Sequence, residues 1–141
     1  MSARTTMAHE GLPIDWDAFD EASEDGRLMD LLVKLPRERW AERDGYGATL
    51  LHYTCRGPNV AAVVALLQSG LVDVNARNTR GNNAAHVAAT RGRSRVLEVL
   101  CAVGVDLRAP THSGSSALDR AIDFVHNDDC ARVLMANGMR L

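Results

Sequence analysis

GATLLHYTC at 47–55, GNNAAHVAA at 81–89 and GSSALDRAI at 114–122 lie in register with one another, at offsets of 34 and then 33 residues. The same spacing returns downstream, where LLQSG ends at Gly70, LCAVG at Gly104 and LMANG at Gly138. Two separate blocks recurring at one period mark a chain of tandem units, each too small to bury its apolar face alone. Within each unit, Gly47, Gly81 and Gly114 supply a turn position that tolerates positive φ. Thr49, Asn83 and Ser116 then stand where a short polar side chain caps a helix. Ala84, Ala85, Ala88 and Ala89 keep that helix thin enough for close approach by a neighbour. Val96, Leu97, Leu100 and Cys101, at i, i+3 and i+4 spacing, predict a second amphipathic helix. Gly70, Gly104 and Gly138 close the second helices.

These blocks resemble ankyrin repeats, whose period is about 33 residues and whose signature is TPLHxA. TLLH at 49–52 stands for TPLH, and LLQSGLVDVNAR at 66–77 is similar to the family's LLxxGADVNAx. No unit keeps the signature proline, since Leu50, Ala84 and Ala117 occupy its place, and Asp119 stands where the other units have His52 and His86. IDFVHNDD in the third unit carries an apparent one-residue insertion between its helices. The resemblance implies an all-α solenoid of stacked helix-turn-helix units with β-turn or hairpin loops, divided at about 44–77, 78–110 and 111–141.

Residues 14–43 lack the signature, yet Leu28, Leu31 and Leu32 fall where a preceding second helix belongs, so this segment is expected to form a degenerate N-terminal cap. Its first helix, near Asp15 to Ala22, is expected to turn Asp15, Asp17, Asp20 and Glu21 to water and Ile14, Trp16 and Phe19 inward. Gly26 marks the approach to the second helix, Pro36 suits the start of a short turn, and Trp40 seals the cap. Residues 1–13 have no apolar stretch of the secretory kind and are expected to be a flexible tail. The chain ends just after the third unit, so Val133, Leu134 and Met135 are expected to be partly exposed and to offer a self-association face.

The 141 residues carry 46% hydrophobic and only 4% aromatic side chains, which predicts one small soluble domain with a core of Leu, Val and Ala. No apolar run approaches the roughly 20 residues of a membrane-spanning helix. Cys55, Cys101 and Cys130 are odd in number and lack CxxC spacing, which reads as reduced thiols and a cytoplasmic or nuclear setting. Charge is unevenly spread: residues 1–76 hold 7 Lys/Arg against 12 Asp/Glu, and residues 77–108 hold 6 against 2. Such a dipolar chain can orient a partner. With few aromatics for base stacking, nucleic acid is a poor match.

Catalysis and metal chemistry find little support. His52 and His86 stand one repeat apart, about 10 Å in a packed stack, too far to share a metal, and the resemblance makes each a hydrogen-bonding brace. His126, Asp128, Asp129 and Cys130 crowd together but lack the ligand set of a structural zinc site. Cys55 lies three residues after His52, yet its position is usually a buried alanine in the family. No glycine-rich phosphate loop is present. No cofactor and no enzymatic role are expected. One motif match remains: Leu67 followed by Asp73, Val74 and Asn75 is similar to the pattern at which ankyrin asparagines are hydroxylated in animal cells, making Asn75 a candidate modification site.

The resemblance therefore implies a protein-binding module, acting as adaptor or competitive inhibitor through its concave surface, with a self-associating structural subunit as the alternative. By the same resemblance the partner-facing positions are Tyr46, Ala48 and Arg56 in the first unit, and Thr79, Arg80, Asn82, Thr90 and Arg91 in the second. His112, Ser113, Ser115, Asp123 and Phe124 are those of the third, and Arg43, Arg77 and Pro110 occupy the preceding linkers. Tyr46, Arg80, Arg91 and Phe124 are the preferred anchors, and the two arginines suit an acidic partner segment.

Overall fold

A computed structural model describes residues 13–23, 27–124 and 128–139. The tail expected at 1–13, Gly26 and the inserted residues around His126 therefore lie outside the described part, Pro13 excepted. The helices are α1 (Trp16–Ala22), α2 (Leu28–Lys34), α3 (Leu50–Thr54), α4 (Val60–Ser69), α5 (Ala84–Arg91), α6 (Ser94–Ala102), α7 (Ala117–Phe124) and α8 (Asp128–Ala136), with a 3-10 turn at Arg37–Arg39. Among the described residues there is no strand, and the single β-bridge pairs Arg43 with Thr49.

The helices form two layers. First helices of successive hairpins pack together, α3 on α5 and α5 on α7, while second helices do the same from α2 through α4 and α6 to α8. The residue patterns explain the thickness of each layer. Ala84, Ala85, Ala88 and Ala89 are all buried on α5, so backbones approach closely there; Val96, Leu97 and Leu100 are buried on α6 and fill the space between hairpins. A continuous core runs from Phe19, Leu28 and Leu32 through Leu51 and Leu66 to Leu118 and Leu134. Leu134 is fully buried, contrary to the expectation that it joins an exposed terminal face; α8 turns it onto the core and leaves Met135 exposed and Val133 half-buried.

Local signals in the sequence are realised atom by atom. Thr49 and Asn83 cap α3 and α5, accepting from the backbone N–H groups of His52 and His86, and the histidine Nδ1 atoms accept in return from the cap N–H groups. Ser116 and Asp119 make the same reciprocal pair: the Asp119 N–H donates to Ser116 Oγ at 3.1 Å and the Ser116 N–H to Asp119 Oδ2 at 2.9 Å. The Asp that breaks the repeat pattern thus keeps its capping half. Gly70 ends α4 in the left-handed region at φ 71°.

The turns are joined in a chain. The Thr79 N–H donates to the Tyr46 carbonyl, and the His112 N–H to the Arg80 carbonyl, both at 2.9 Å. Gly81 sits where that join is tightest: at φ +84°, an added Cβ would lie 2.8 Å from the His112 backbone nitrogen. Gly114 has a similar φ of +87° with open space around it. Trp40 is buried, with its indole N–H donating to the Leu35 carbonyl at 3.2 Å.

Two stability outcomes follow from this geometry. Leu97→Ala is expected to cost roughly 2–5 kcal/mol in urea denaturation, the range for an emptied core leucine site. Gly81→Ala is expected to lower the midpoint more than Gly114→Ala, because only the former adds a steric collision to the shared backbone strain; equal losses would refute the close approach.

Candidate functional site

The inner ends of α1, α3 and α5 and the turns before α3 and α5 frame an open groove of about 470 Å³. Of the positions expected to face a partner, Tyr46, Ala48, Arg56, Thr79, Arg80, Asn82, Thr90 and Arg91 line it. They are not equivalent. Tyr46 is 73% exposed at its turn tip and offers a whole aromatic face, whereas Ala48 is buried and contributes only floor. Thr90 donates its hydroxyl to the His86 carbonyl at 2.8 Å, leaving its methyl for the groove. Arg80 and Arg91 are both exposed on the rim.

Other expected contacts face the protein itself. The Arg43 guanidinium donates to the Gly47 and Arg77 carbonyls at 3.3 and 3.1 Å, and Arg77 repeats the arrangement one unit on, donating to the Gly81 carbonyl at 3.0 Å and to that of Pro110. These side chains bridge consecutive turns. Ser113 shares a hydrogen bond with Thr111, and the Ser115 N–H donates to Thr111 Oγ1, so both belong to the third turn. His112, Pro110 and Asp123 are exposed but stand outside the groove lining, and the Phe124 side chain lies outside the described part.

The structure adds groove residues that the repeat pattern did not single out: Trp16, Asp17, Asp20, Asp44, Tyr53, Asn78, Val87 and Arg120. Trp16 was expected to face inward; it is half-buried and sets its ring 5.2 Å from that of Tyr53, turning the cap's first helix toward the groove. Tyr53 in turn donates its hydroxyl to Asp44 at 2.5 Å, and burial together with this carboxylate pushes its phenol well above the usual range. Arg56 stacks 4.6 Å over the Tyr53 ring and pairs with Asp20, locking α1 to the end of α3. The phase expected for this helix holds for its exposed acids and for buried Ile14 and Phe19, but without a repeat signature nothing in the sequence set the cap's acids beside Arg56 and Tyr53.

The residues weighed for nucleophilic and metal chemistry are placed as follows. His52 accepts the Thr49 N–H on Nδ1, which leaves the proton on Nε2, and Nε2 donates to the Asn82 carbonyl at 2.8 Å. Both ring nitrogens are thus occupied and no base faces Cys55, whose thiol burial pushes up to about 12. Burial raises Cys130 to about 11 and also raises Cys101. Among the described residues no His, Cys, Asp or Glu set gathers as for a metal; Asp129 is exposed and Cys130 buried, while His126 and the Asp128 side chain lie outside that part. Asn75 is exposed, yet its amide oxygen accepts the Asp106 N–H at 2.7 Å, tying the exit loop of one hairpin to the next.

His86 repeats the capping half of His52, but its buried Nε2 lies near the carbonyls of Ala109 and Ser115 without closing a hydrogen bond to either. Burial, reinforced by the charge of Arg120, lowers its pKa to about 4, and burial lowers that of His52.

Stacked hairpins joined through their turns, with a side-chain-lined groove along the first helices, define a repeat solenoid built for surface contact. Comparison with known proteins agrees. Residues 46–79 match the family described as "Ankyrin repeat" and residues 66–121 the one described as "Ankyrin repeats (many copies)", so the chain belongs to the ankyrin-repeat family. Over 71 residues, 50% of its length, it is 35% identical to the BTB/POZ domain and ankyrin repeat-containing protein NPR1 of Malus hupehensis, of which the match covers 12%. Ankyrin repeats are in general protein-protein interaction modules. Among the described residues no helix is long and apolar enough to cross a membrane.

The histidines predict an acid sensitivity. A histidine whose folded pKa lies below 6.5 is protonated first in the unfolded chain, so its contribution is complete above that pH and is lost as pH falls toward the folded value. For His86 the loss between pH 6.5 and about 4 amounts to about 3 kcal/mol. Urea titrations across that window are expected to show a steeper decline for the wild type than for His86→Gln; parallel curves would contradict a neutral buried His86.

Proposed function

We propose that this chain captures a partner protein along the concave groove, acting as an adaptor or a competitive inhibitor rather than as an enzyme. The observation that carries this reading is the groove itself: exposed Tyr46 and the rim arginines Arg80 and Arg91 stand together on a surface held rigid by the turn-to-turn hydrogen bonds. Aromatic and guanidinium side chains dominate binding energy at protein interfaces, the first through contact area and the second through forked hydrogen bonds to carboxylates. A partner with an acidic segment fits the rim. Preorganisation supports the reading further, because a surface fixed before contact loses little freedom on binding. Buried Cys55 and Cys130, and His52 with both ring nitrogens hydrogen-bonded, lend no support to small-molecule chemistry.

The test is capture of the partner from native extract by the tagged full chain, with Arg80→Ala/Arg91→Ala as the control and calorimetric titration of the recovered protein. The double variant is expected to stay folded, to weaken binding by about tenfold or more, and to flatten its dependence on salt. Equal affinity of the two forms across salt concentrations would overturn an arginine-steered concave interface.

A further inference from the structure

The geometry points to a groove with two electrical ends, suited to a partner segment that carries a basic residue at one end and carboxylates at the other. This deepens the concave reading of the previous subsection and rests on it. At the cap end the lining acids are Asp17, Asp20 and Asp44, offset by Arg56 alone. At the far end the lining arginines are Arg80, Arg91 and Arg120, of which Arg80 stands exposed on its turn.

The acids differ in how far they are committed internally. Asp20 pairs with Arg56, while Asp44 accepts the Tyr46 and Ala48 N–H groups and the Tyr53 hydroxyl. Asp17 is exposed on the first turn of α1, next to Trp16, and is the acid best placed to receive a cation from outside. The Trp16 and Tyr53 rings form the surface beside it, where the stem of a lysine or arginine can pack while its charge meets the carboxylate. On the opposite rim the Arg80 backbone anchors its turn, its N–H donating to Asn78 Oδ1 and its carbonyl accepting from the His112 N–H, so its guanidinium extends from a fixed base.

The spacing sets the partner's pattern. Two steps of packed helices separate α1 from the Arg80 turn, about 20 Å, which an extended segment covers in about six residues at roughly 3.3 Å each. An apolar or planar residue between the two charged ends would lie against Tyr46. A uniformly acidic segment would satisfy the arginine end but meet like charge at the cap, so the acid wall selects against it while admitting the bipolar one.

Fluorescence anisotropy with the full chain tests this, using labelled synthetic peptides with a lysine pair, a Pro-Leu centre and a glutamate run, made in both chain directions. In the counterparts both lysines are replaced by glutamine. One direction of the lysine peptide is expected to bind about two- to fivefold more tightly than its glutamine counterpart, the size of an exposed ion pair. Asp17→Asn is expected to erase that preference while leaving the glutamine peptide unaffected. Equal binding of lysine and glutamine peptides, a preference that survives Asp17→Asn, or no binding of either lysine peptide would overturn the bipolar groove. Arg80→Gln separates the two levels: if it weakens both kinds of peptide while the lysine preference is absent, the concave reading stands and only its cap end falls.

Discussion

A helical hairpin as thin as α5 and α6 has no interior of its own. Its first helix is lined with Ala84, Ala85, Ala88 and Ala89, and the leucines of its second helix are buried only because neighbouring hairpins lie against them. Everything else in the molecule answers that constraint. Stacking demands that each turn meet the next at a fixed height, and the turns meet through backbone bonds from Thr79 to Tyr46 and from His112 to Arg80. The glycine between them cannot be replaced without pushing them apart. Core and turn are therefore one requirement expressed twice, as apolar area between helices and as directed hydrogen bonds between loops.

The histidine of the signature shows how closely the two are joined. One ring nitrogen of His52 finishes the cap of its own helix, and the other reaches the carbonyl of Asn82 in the following turn. The ring is a rigid spacer between a local need and a long-range one. Asp119 satisfies the local need through Ser116 but carries no second nitrogen, so in that hairpin capping is separated from reaching. His86 sits between these cases, with its cap complete and its outer nitrogen buried without a bond. Such rings make the stack sensitive to acid, because each must remain neutral to accept its cap N–H.

Much of this was legible in the sequence, and the limits have a physical origin. Period, caps and closing glycines are local properties, written in the residues that adopt them, so Thr49, Asn83, Ser116 and Gly70 could be placed without coordinates. The direction of a long side chain is not local. Arg43 and Arg77 occupy linker positions that resemble partner-facing ones, but stacking brings the next turn's carbonyl within reach of each guanidinium, and they became braces. Trp16 illustrates the converse. Its helix has apolar residues on more than one side, and only contact with Tyr53 decides that the indole borders the groove while Phe19 and Ile14 enter the core.

Of the six arginines that give the middle of the chain its positive charge, four fall into two groups with different placements. Arg77 and Arg93 spend their donors on backbone carbonyls, Arg93 reaching that of Arg56 at 2.8 Å, and their charge is a by-product of holding the stack. Arg80 and Arg91 instead stand exposed on the rim of the groove. Because both groups belong to one repeating framework, the positive rim is held in place by the same residues that hold the fold. The acidic cap is fastened opposite it by Arg56 on Tyr53 and Asp20. A dipolar sequence therefore becomes a dipolar groove without any element devoted to that purpose, since stacking at a regular height carries charge separated along the chain into charge separated in space.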